Sequence, residues 1–224
     1  MSICRIIGDV HGHHLTYKKL INDIDYSIQV GDFGFSDSWD WLKTNVNSGR
    51  HKILPGNHDE YPKITNHSLG DCGTYNLGGM KFFFVRGAFS IDKTVRTENV
   101  NWWVDEELSL DSLIDALNMY RKIKPEIVIT HDCPGTVYGV STALFNRPWI
   151  PNRTSQVLQE MFDCHQPKLW IFGHWHILKH IYIKNTFFIC LDELNFVNYD
   201  TEKNIDENIF DMHNYLKIEK RKSK

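Results

Sequence analysis

Runs of β-branched and aromatic residues recur along the chain, and five of them stop abruptly at a cluster of polar side chains. Ile3–Gly8 runs into Asp9-Val10-His11, Ser27–Gly31 into Asp32, and Lys52–Leu54 into Pro55-Gly56-Asn57-His58-Asp59. Glu126–Thr130 runs into His131-Asp132, and Lys168–Phe172 into Gly173-His174-Trp175-His176. Short apolar runs bounded in this way predict strands. Between some of them Leu15–Asp23, Ser38–Asn45, Leu110–Lys122 and Ser155–Cys164 predict helices. Strands alternating with helices predict an α/β protein with a largely parallel sheet, in which ligands bind beyond the carboxyl ends of the strands. Five polar strand ends are therefore expected to converge on one edge. After His176 the pattern changes. Lys179–Lys184 and Thr186–Leu191 predict a hairpin, Leu194–Tyr199 a third strand, and the region from about Asp206 a helix. A basic tail, Lys217–Lys224, follows and is expected to be a solvated terminus. No repeat or linker divides the 224 residues, so residues 1–224 are expected to form a single compact domain with its motifs within 9–176.

Composition adds limits. Hydrophobic residues make up 42% and charged residues 24%, enough apolar material for a core without disulfides. The formal net charge is -3, so no global basic field recruits nucleic acid, and any preference for an anion must come from the site itself. The chain opens directly into Ile3-Cys4-Arg5-Ile6-Ile7 without the layout of a signal peptide, and no apolar run is long enough to span a bilayer. Five scattered cysteines with no C-x-x-C spacing suit reduced thiols, so the expected location is cytoplasmic. Histidine is the oddity, with twelve copies.

Five of those histidines lie at the strand ends, four of them as candidate ligands. Asp9, His11, Asp32, Asn57, His131, His174 and His176 form an ordered series of D-x-H, G-D, G-N-H-D, H and G-H-x-H. This mixed oxygen and nitrogen set suits borderline divalent ions and argues against a thiolate-based structural zinc. Seven ligands exceed the need of one such ion, which points to two ions sharing a carboxylate bridge. In a strand leaving a sheet, residues i and i+2 point the same way. On that basis Asp9 with His11, and His174 with His176, are expected to address one site. Two divalent ions bring +4 and the two aspartates -2, leaving an excess of positive charge that bound anions would offset. Ions about 3.5–4 Å apart would activate a bridging water and clamp an in-line displacement.

Taken in order, these motifs resemble the signature of the calcineurin-like metallophosphoesterase superfamily, over most of the chain from Asp9 to His176. The resemblance implies a β-sandwich of two mixed sheets flanked by helices. It implies that Asp9, His11 and His176 hold a first metal, that Asn57, His131 and His174 hold a second, and that Asp32 bridges them. His58 would face the substrate and assist the leaving oxygen, with Asp59 orienting it. The expected cofactors are two transition-metal ions, manganese first, with iron, zinc, nickel and cobalt as alternatives. The implied activity is hydrolysis of a phosphate mono- or diester by a bridging metal-bound hydroxide. The implied substrate is a phosphorylated small molecule or nucleotide.

Ser/Thr protein phosphatases of this superfamily carry an acidic-arginine pair after G-D and an arginine before G-N-H-E. Here Phe33-Gly34-Phe35 and Leu54-Pro55 occupy those stretches, which favours the phosphodiesterase and small-phosphatase branches. A nuclease, a protein phosphatase and a non-hydrolytic scaffold of the same fold are the competing readings. A scaffold would typically have a degraded ligand set, and a nuclease a basic or aromatic groove. Outside the series a histidine is more often a satisfied polar group than a ligand, and His13 and His14 are placed only at the rim. Asp32-Phe33-Gly34 imitates a kinase motif without its companions, and Cys133 has no base partner set by a motif.

Two long segments, Arg86–Glu107 and Pro134–Thr154, show no convincing periodicity and read as binding loops. Each carries arginine among aromatics: Arg86, Arg96, Trp102 and Trp103, then Phe145, Arg147, Trp149 and Arg153. Arg96 and Arg153 are the candidate substrate-binding residues, the latter beside a helix start where backbone N–H groups attract anions.

Overall fold

The computed structural model describes residues 2–140 and 150–222. The chain runs β1 (Ile3–Ile7), α1 (His14–Ile21), β2 (Tyr26–Gln29), α2 (Ser38–Asn45), β3 (His51–Ile53), β4 (Cys72–Leu77) and β5 (Met80–Val85). It continues through α3 (Leu110–Ile123), β6 (Ile127–Thr130), α4 (Gly135–Val140), α5 (Arg153–Cys164), β7 (Leu169–Phe172), β8 (Lys179–Ile183), β9 (Thr186–Cys190), β10 (Phe196–Asp200) and α6 (Ile205–Lys222). The strands form two sheets, ordered β10-β1-β2-β3 and β4-β5-β6-β7-β9-β8. The strands that precede the polar motifs pair in parallel within their own sheets, while β10, β4 and β8 join the edges antiparallel.

Strand alternation builds the layers. Cys4 and Ile6 of β1 face the other sheet and pack with Ile28, Phe82, Phe84, Ile129, Ile171 and Ile189 in a core between the sheets. Ile7 faces the opposite way, with Ile53, against Tyr17 of α1 and Trp39 and Leu42 of α2. The outer face of the larger sheet (Phe83, Val128, Trp170, Phe188) packs on Leu113, Ala116 and Tyr120 of α3 and Leu158, Met161 and Phe162 of α5. Each fully buried Phe or Leu contributes about 1.5–3 kcal/mol, so these three clusters leave little freedom in how the sheets sit. No helix among the described residues is long and apolar enough to cross a membrane.

Three differences from the sequence reading have local causes. The hairpin β4–β5 is additional to the expected strands, and its signal is Leu77-Gly78-Gly79-Met80, a two-residue turn between β-forming runs. The Pro134–Thr154 segment contains α4, and α5 begins two residues earlier than expected because Asn152 caps it, its Oδ1 accepting the Ser155 N–H at 2.8 Å. The basic tail is helical through Lys222. Phe145, Arg147 and Trp149 lie outside the described residues.

Candidate metal centre

The polar motifs meet at one rim of the sandwich, where the carboxyl ends of strands from both sheets abut. Backbone hydrogen bonds lock the motif loops together. Val10 and His11 N–H donate to Asp32 O at 3.0 and 2.9 Å, and Gly173 N–H donates to His131 O at 3.1 Å. Side chains extend the lock, between the sheets at Asp9 and between neighbouring loops of one sheet at Asp32. His174 N–H donates to both Asp9 carboxylate oxygens, at 3.2 and 3.1 Å, and His58 N–H donates to Asp32 Oδ1 at 2.6 Å.

The ligand pairs meet for a reason different from strand alternation. β1 ends at Ile7 and β7 at Phe172, so Asp9, His11, His174 and His176 lie in turns beyond the strands. His11, Asp32, His174 and His176 have φ of 45°, 57°, 67° and 48°, the left-handed region. Such backbone costs about 1–3 kcal/mol at a non-glycine residue and persists where the surroundings over-determine it, often at functional sites. Gly31 and Gly56 make the close approach feasible. A Cβ on Gly31 (φ 116°) would overlap the His131 ring, and one on Gly56 would lie 2.5 Å from Asp32 N and 2.6 Å from His131 Nε2.

Two groups of donor atoms result. Asp9, His11, Asp32 and His176 form one, and Asp32, His131 and His174 the other, each with donors within 4.8 Å of one another. Asp32 belongs to both. Its Oδ2 lies 3.8 Å from His11 Nε2 and its Oδ1 3.2 Å from His131 Nε2. Asn57 Oδ1 lies 3.0 Å from His131 Nε2, on the same side. His131 Nδ1 is 2.8 Å from Val30 O, so the Nδ1 proton is committed and Nε2 faces the site.

Electrostatics show why the site suits a cation. Asp9 and Asp32 are fully buried together. Burial raises the Asp9 carboxyl against the pull of His176 and His131. Burial also presses on Asp32, but His131, His58 and His11 outweigh it and hold that carboxyl well below its usual range. Burial favours neutral His131, yet Asp32 and Asp9 push its pKa up to about 10. An imidazolium thus balances the carboxylates where divalent ions would do so far better. His11 Nε2 and His176 Nε2 face each other at 2.9 Å, so one ring must donate a proton to the other unless a cation takes the place between them.

His58 borders a cavity of about 250 Å³ lined also by Asp32, Asn57, Ile91, Asp92, His174, Trp175 and His176. Burial, opposed by Asp32 and aided by Arg96 and His11, lowers the His58 pKa to about 4. Arg96 reaches this ring, its Nη2 lying against both Nδ1 and Nε2, and is braced by Asp92 at 2.9 Å. Asp59 is placed differently from the role of orienting His58. Its two oxygens accept the Gly34 and Gly56 N–H groups at 3.0 and 2.8 Å, tying the two loops together. Burial, then the nearby Asp32 charge, raises its pKa to about 7.

Arg153 does not line the cavity. It lies on Glu107, with Nη2 3.2 Å from Glu107 O, and the Glu107 carboxylate accepts Thr154 N–H at 3.2 Å and Thr154 Oγ1 at 2.9 Å. The chain's own carboxylate therefore occupies the anion position at the start of α5. Arg86 closes the base of its loop, donating to Asp71 at 2.5 Å and to Asp105 O at 2.6 Å. Trp103 is buried against Phe35, and Trp175 turns toward Tyr138 and donates to Asp132 at 3.2 Å. His13 pairs with Glu193 at 3.1 Å, and His14 stacks on Trp41 and Phe33. Cys133 is buried, which with the Asp132 charge holds its thiol well above the ordinary range. A larger hollow of about 820 Å³ beside α4 and α5 contains none of the ligand series.

The fold is shared with solved structures at low sequence identity. A phosphopantetheinyl hydrolase from Mycobacterium tuberculosis is 15% identical with a TM-score of 0.50, over 86% of this chain and 90% of that one. An archaeal phosphodiesterase is 14% identical with a TM-score of 0.43, over 89% and 94%. Vps29 from Chaetomium thermophilum is 14% identical with a TM-score of 0.41, over 89% and 82%. No curated protein sequence matches the chain. The sequence profile of the calcineurin-like phosphoesterases matches residues 5–178, the span that carries both sheets' motif loops. With the two-sheet sandwich and the Asp/His cluster at its rim, that match makes the chain a member of the calcineurin-like phosphoesterase family.

Proposed function

We propose that the protein hydrolyses a small phosphate mono- or diester, with nucleotides among the candidates, at a centre holding two divalent transition-metal ions. Asp9, His11 and His176 hold the first ion, Asn57, His131 and His174 the second, and Asp32 bridges them. The observation that carries this reading is Asp32 itself, whose two oxygens face two separate histidine groups. Such a pair of ions supplies Lewis acidity at phosphoryl oxygens and lowers the pKa of a water. Manganese is favoured because an imidazole-rich set disfavours hard magnesium.

The chain's own residues do the rest. His58 stands at the cavity wall to hydrogen-bond the leaving oxygen, and its depressed pKa favours hydrogen-bond donation by the neutral ring over full proton transfer. Arg96 steadies that ring and adds positive charge beside it. Ile91 and Trp175 contribute apolar surface to the lining of the cleft. At about 250 Å³ the cavity suits a phosphate and the first atoms of its ester group. Pro55, buried directly before Gly56 where the protein-phosphatase branch carries an arginine, supports a non-protein substrate. The five free cysteines suit a reducing compartment such as the cytoplasm.

The test is a hydrolysis panel with manganese: bis-nitrophenyl phosphate, nitrophenyl phosphate, cyclic nucleotides, dinucleotides and a phosphopeptide. Metal-dependent turnover of a small ester, lost in chelator, is expected. Turnover of none of them by protein carrying two ions would favour the scaffold reading instead.

A further inference from the structure

The loop between β5 and α3 is closed at its base. Arg86 Nη1 donates to Asp105 O, and Ala88 N–H donates to Glu106 O at 3.1 Å. Gly87 N–H, in the same base, donates to Pro55 O at 2.9 Å, directly beside the Asn57 motif. Within this base Ser90 and Glu106 are buried together, at 1% and 3% exposure. Ser90 N–H donates to Glu106 Oε1 at 3.0 Å, and Ser90 Oγ donates to Oε2 at 2.9 Å. Asn57 Nδ2 then donates to Ser90 Oγ at 2.9 Å.

The direction of this chain is set by chemistry. Burial raises the Glu106 carboxyl to about 7, so at pH 8 it is ionised; it then only accepts, taking the Ser90 N–H on one oxygen and the Ser90 hydroxyl proton on the other. The Ser90 oxygen can then only accept from Asn57, which requires the NH₂ end of the amide. The other end, Oδ1, is thereby turned toward His131 and the centre. A flipped amide would aim two N–H groups at the ion and set its oxygen against the Ser90 lone pairs.

We propose that Ser90 and Glu106 are positioning residues that orient the Asn57 amide and so set the affinity of the second ion. Metal retention is thereby coupled to the loop that carries Ile91, Asp92 and Arg96 over the substrate cavity. This rests on the two-ion reading of the centre, in which Asn57 is a ligand.

The test is calorimetric titration of the metal-free full chain with manganese at pH 8. Wild type is expected to bind two equivalents. Ser90→Ala is expected to weaken one of them by about 10–100-fold, the usual effect of losing a partner behind a ligand, and to leave the other unchanged. Ser90→Thr, which keeps the hydroxyl, restores wild-type binding. Glu106→Gln provides a second variant, because its NH₂ can reverse the hydroxyl and thus the amide, weakening the same equivalent. In an Asn57→Asp background both side-chain ends are oxygen, so Ser90→Ala should change the weaker affinity by no more than about 3-fold. That loss of coupling is the signature of orientation rather than of general support. Two wild-type affinities in both Ser90→Ala and Glu106→Gln would overturn the inference and leave the two-ion centre standing. A single equivalent in wild type would overturn both.

Discussion

Gly56→Ala puts a methyl group between two of the centre's motif loops. The added methyl would stand 2.5 Å from Asp32 N and 2.6 Å from His131 Nε2, against an ordinary contact of 3.4 Å or more. Those atoms must retreat by about 0.8 Å, and neither belongs to a flexible side-chain end. Overpacking of this kind typically costs about 1–3 kcal/mol of stability. The catalytic loss should be larger, since a shift near 1 Å at a reacting centre can cost about 10²-fold. Gly12→Ala is the control. There the added methyl meets nothing within 4 Å, and only the backbone (φ 78°) resists, at about 1–2 kcal/mol. Thermal melting and saturating-manganese kinetics on a nitrophenyl ester separate the two effects. Both variants should melt lower, but only Gly56→Ala should lose about two orders of magnitude in kcat. Equal kcat values in the two variants would refute the claim that Asp32 and His131 are held by steric contact with the Gly56 backbone.

Other outcomes follow from the same geometry. Asp32→Asn should damage both ion sites at once, so metal analysis after dialysis should find well under one ion per chain; retention of two would exclude the bridge. His58→Asn should keep normal metal content yet lose about 10²–10⁴-fold in turnover. Comparing nitrophenyl with alkyl esters then separates two roles: an equal loss indicates hydrogen-bond stabilisation, the role favoured by the lowered pKa, and a smaller loss for nitrophenyl esters indicates proton donation. Metal affinity should rise with pH. The metal-free His131 pKa is raised from 6.5 to about 10, so at pH 7 it carries a proton that ligation must expel. The same shift stabilises the metal-free fold fully below pH 6.5, and that stabilisation is lost as pH rises to about 10. Calorimetry in buffers of different ionisation heat should therefore show proton release on binding at pH 7, and its absence would contradict the His131 assignment.

The strand ends were legible because each motif is contiguous and its residue types are rare outside metal chemistry. That the loops carrying Asp9, Asp32, Asn57, His131 and His174 reach one edge follows from strand direction, while left-handed backbone at Asp32 and His174 completes their placement. The way His11 and His176 reach the centre does not follow from spacing, because left-handed turns set it, and those depend on contacts across the two sheets. The hairpin Cys72–Leu77/Met80–Val85 does carry a local signal in Gly78-Gly79. Arg153 was misleading for a tertiary reason: Glu107, 46 residues earlier, fills the helix terminus that an external anion would need. Arg96 is at the centre, but on His58, a contact 38 residues apart that no periodicity encodes. Asp59 lies next to His58 in sequence, and its carboxylate serves loop amides instead. Ser90 and Glu106 belong to no motif, and only their joint burial against Asn57 brings them out.

The central claim is two ions joined through Asp32 and acting on a phosphate ester. It is tested most directly by adding manganese stepwise to metal-free protein and following hydrolysis of bis-nitrophenyl phosphate, or of nitrophenyl phosphate if the diester is not turned over. The account predicts negligible rate without metal and a rise that completes near two equivalents per chain. Full activity without added metal in excess chelator, or a plateau reached at one equivalent, would contradict it.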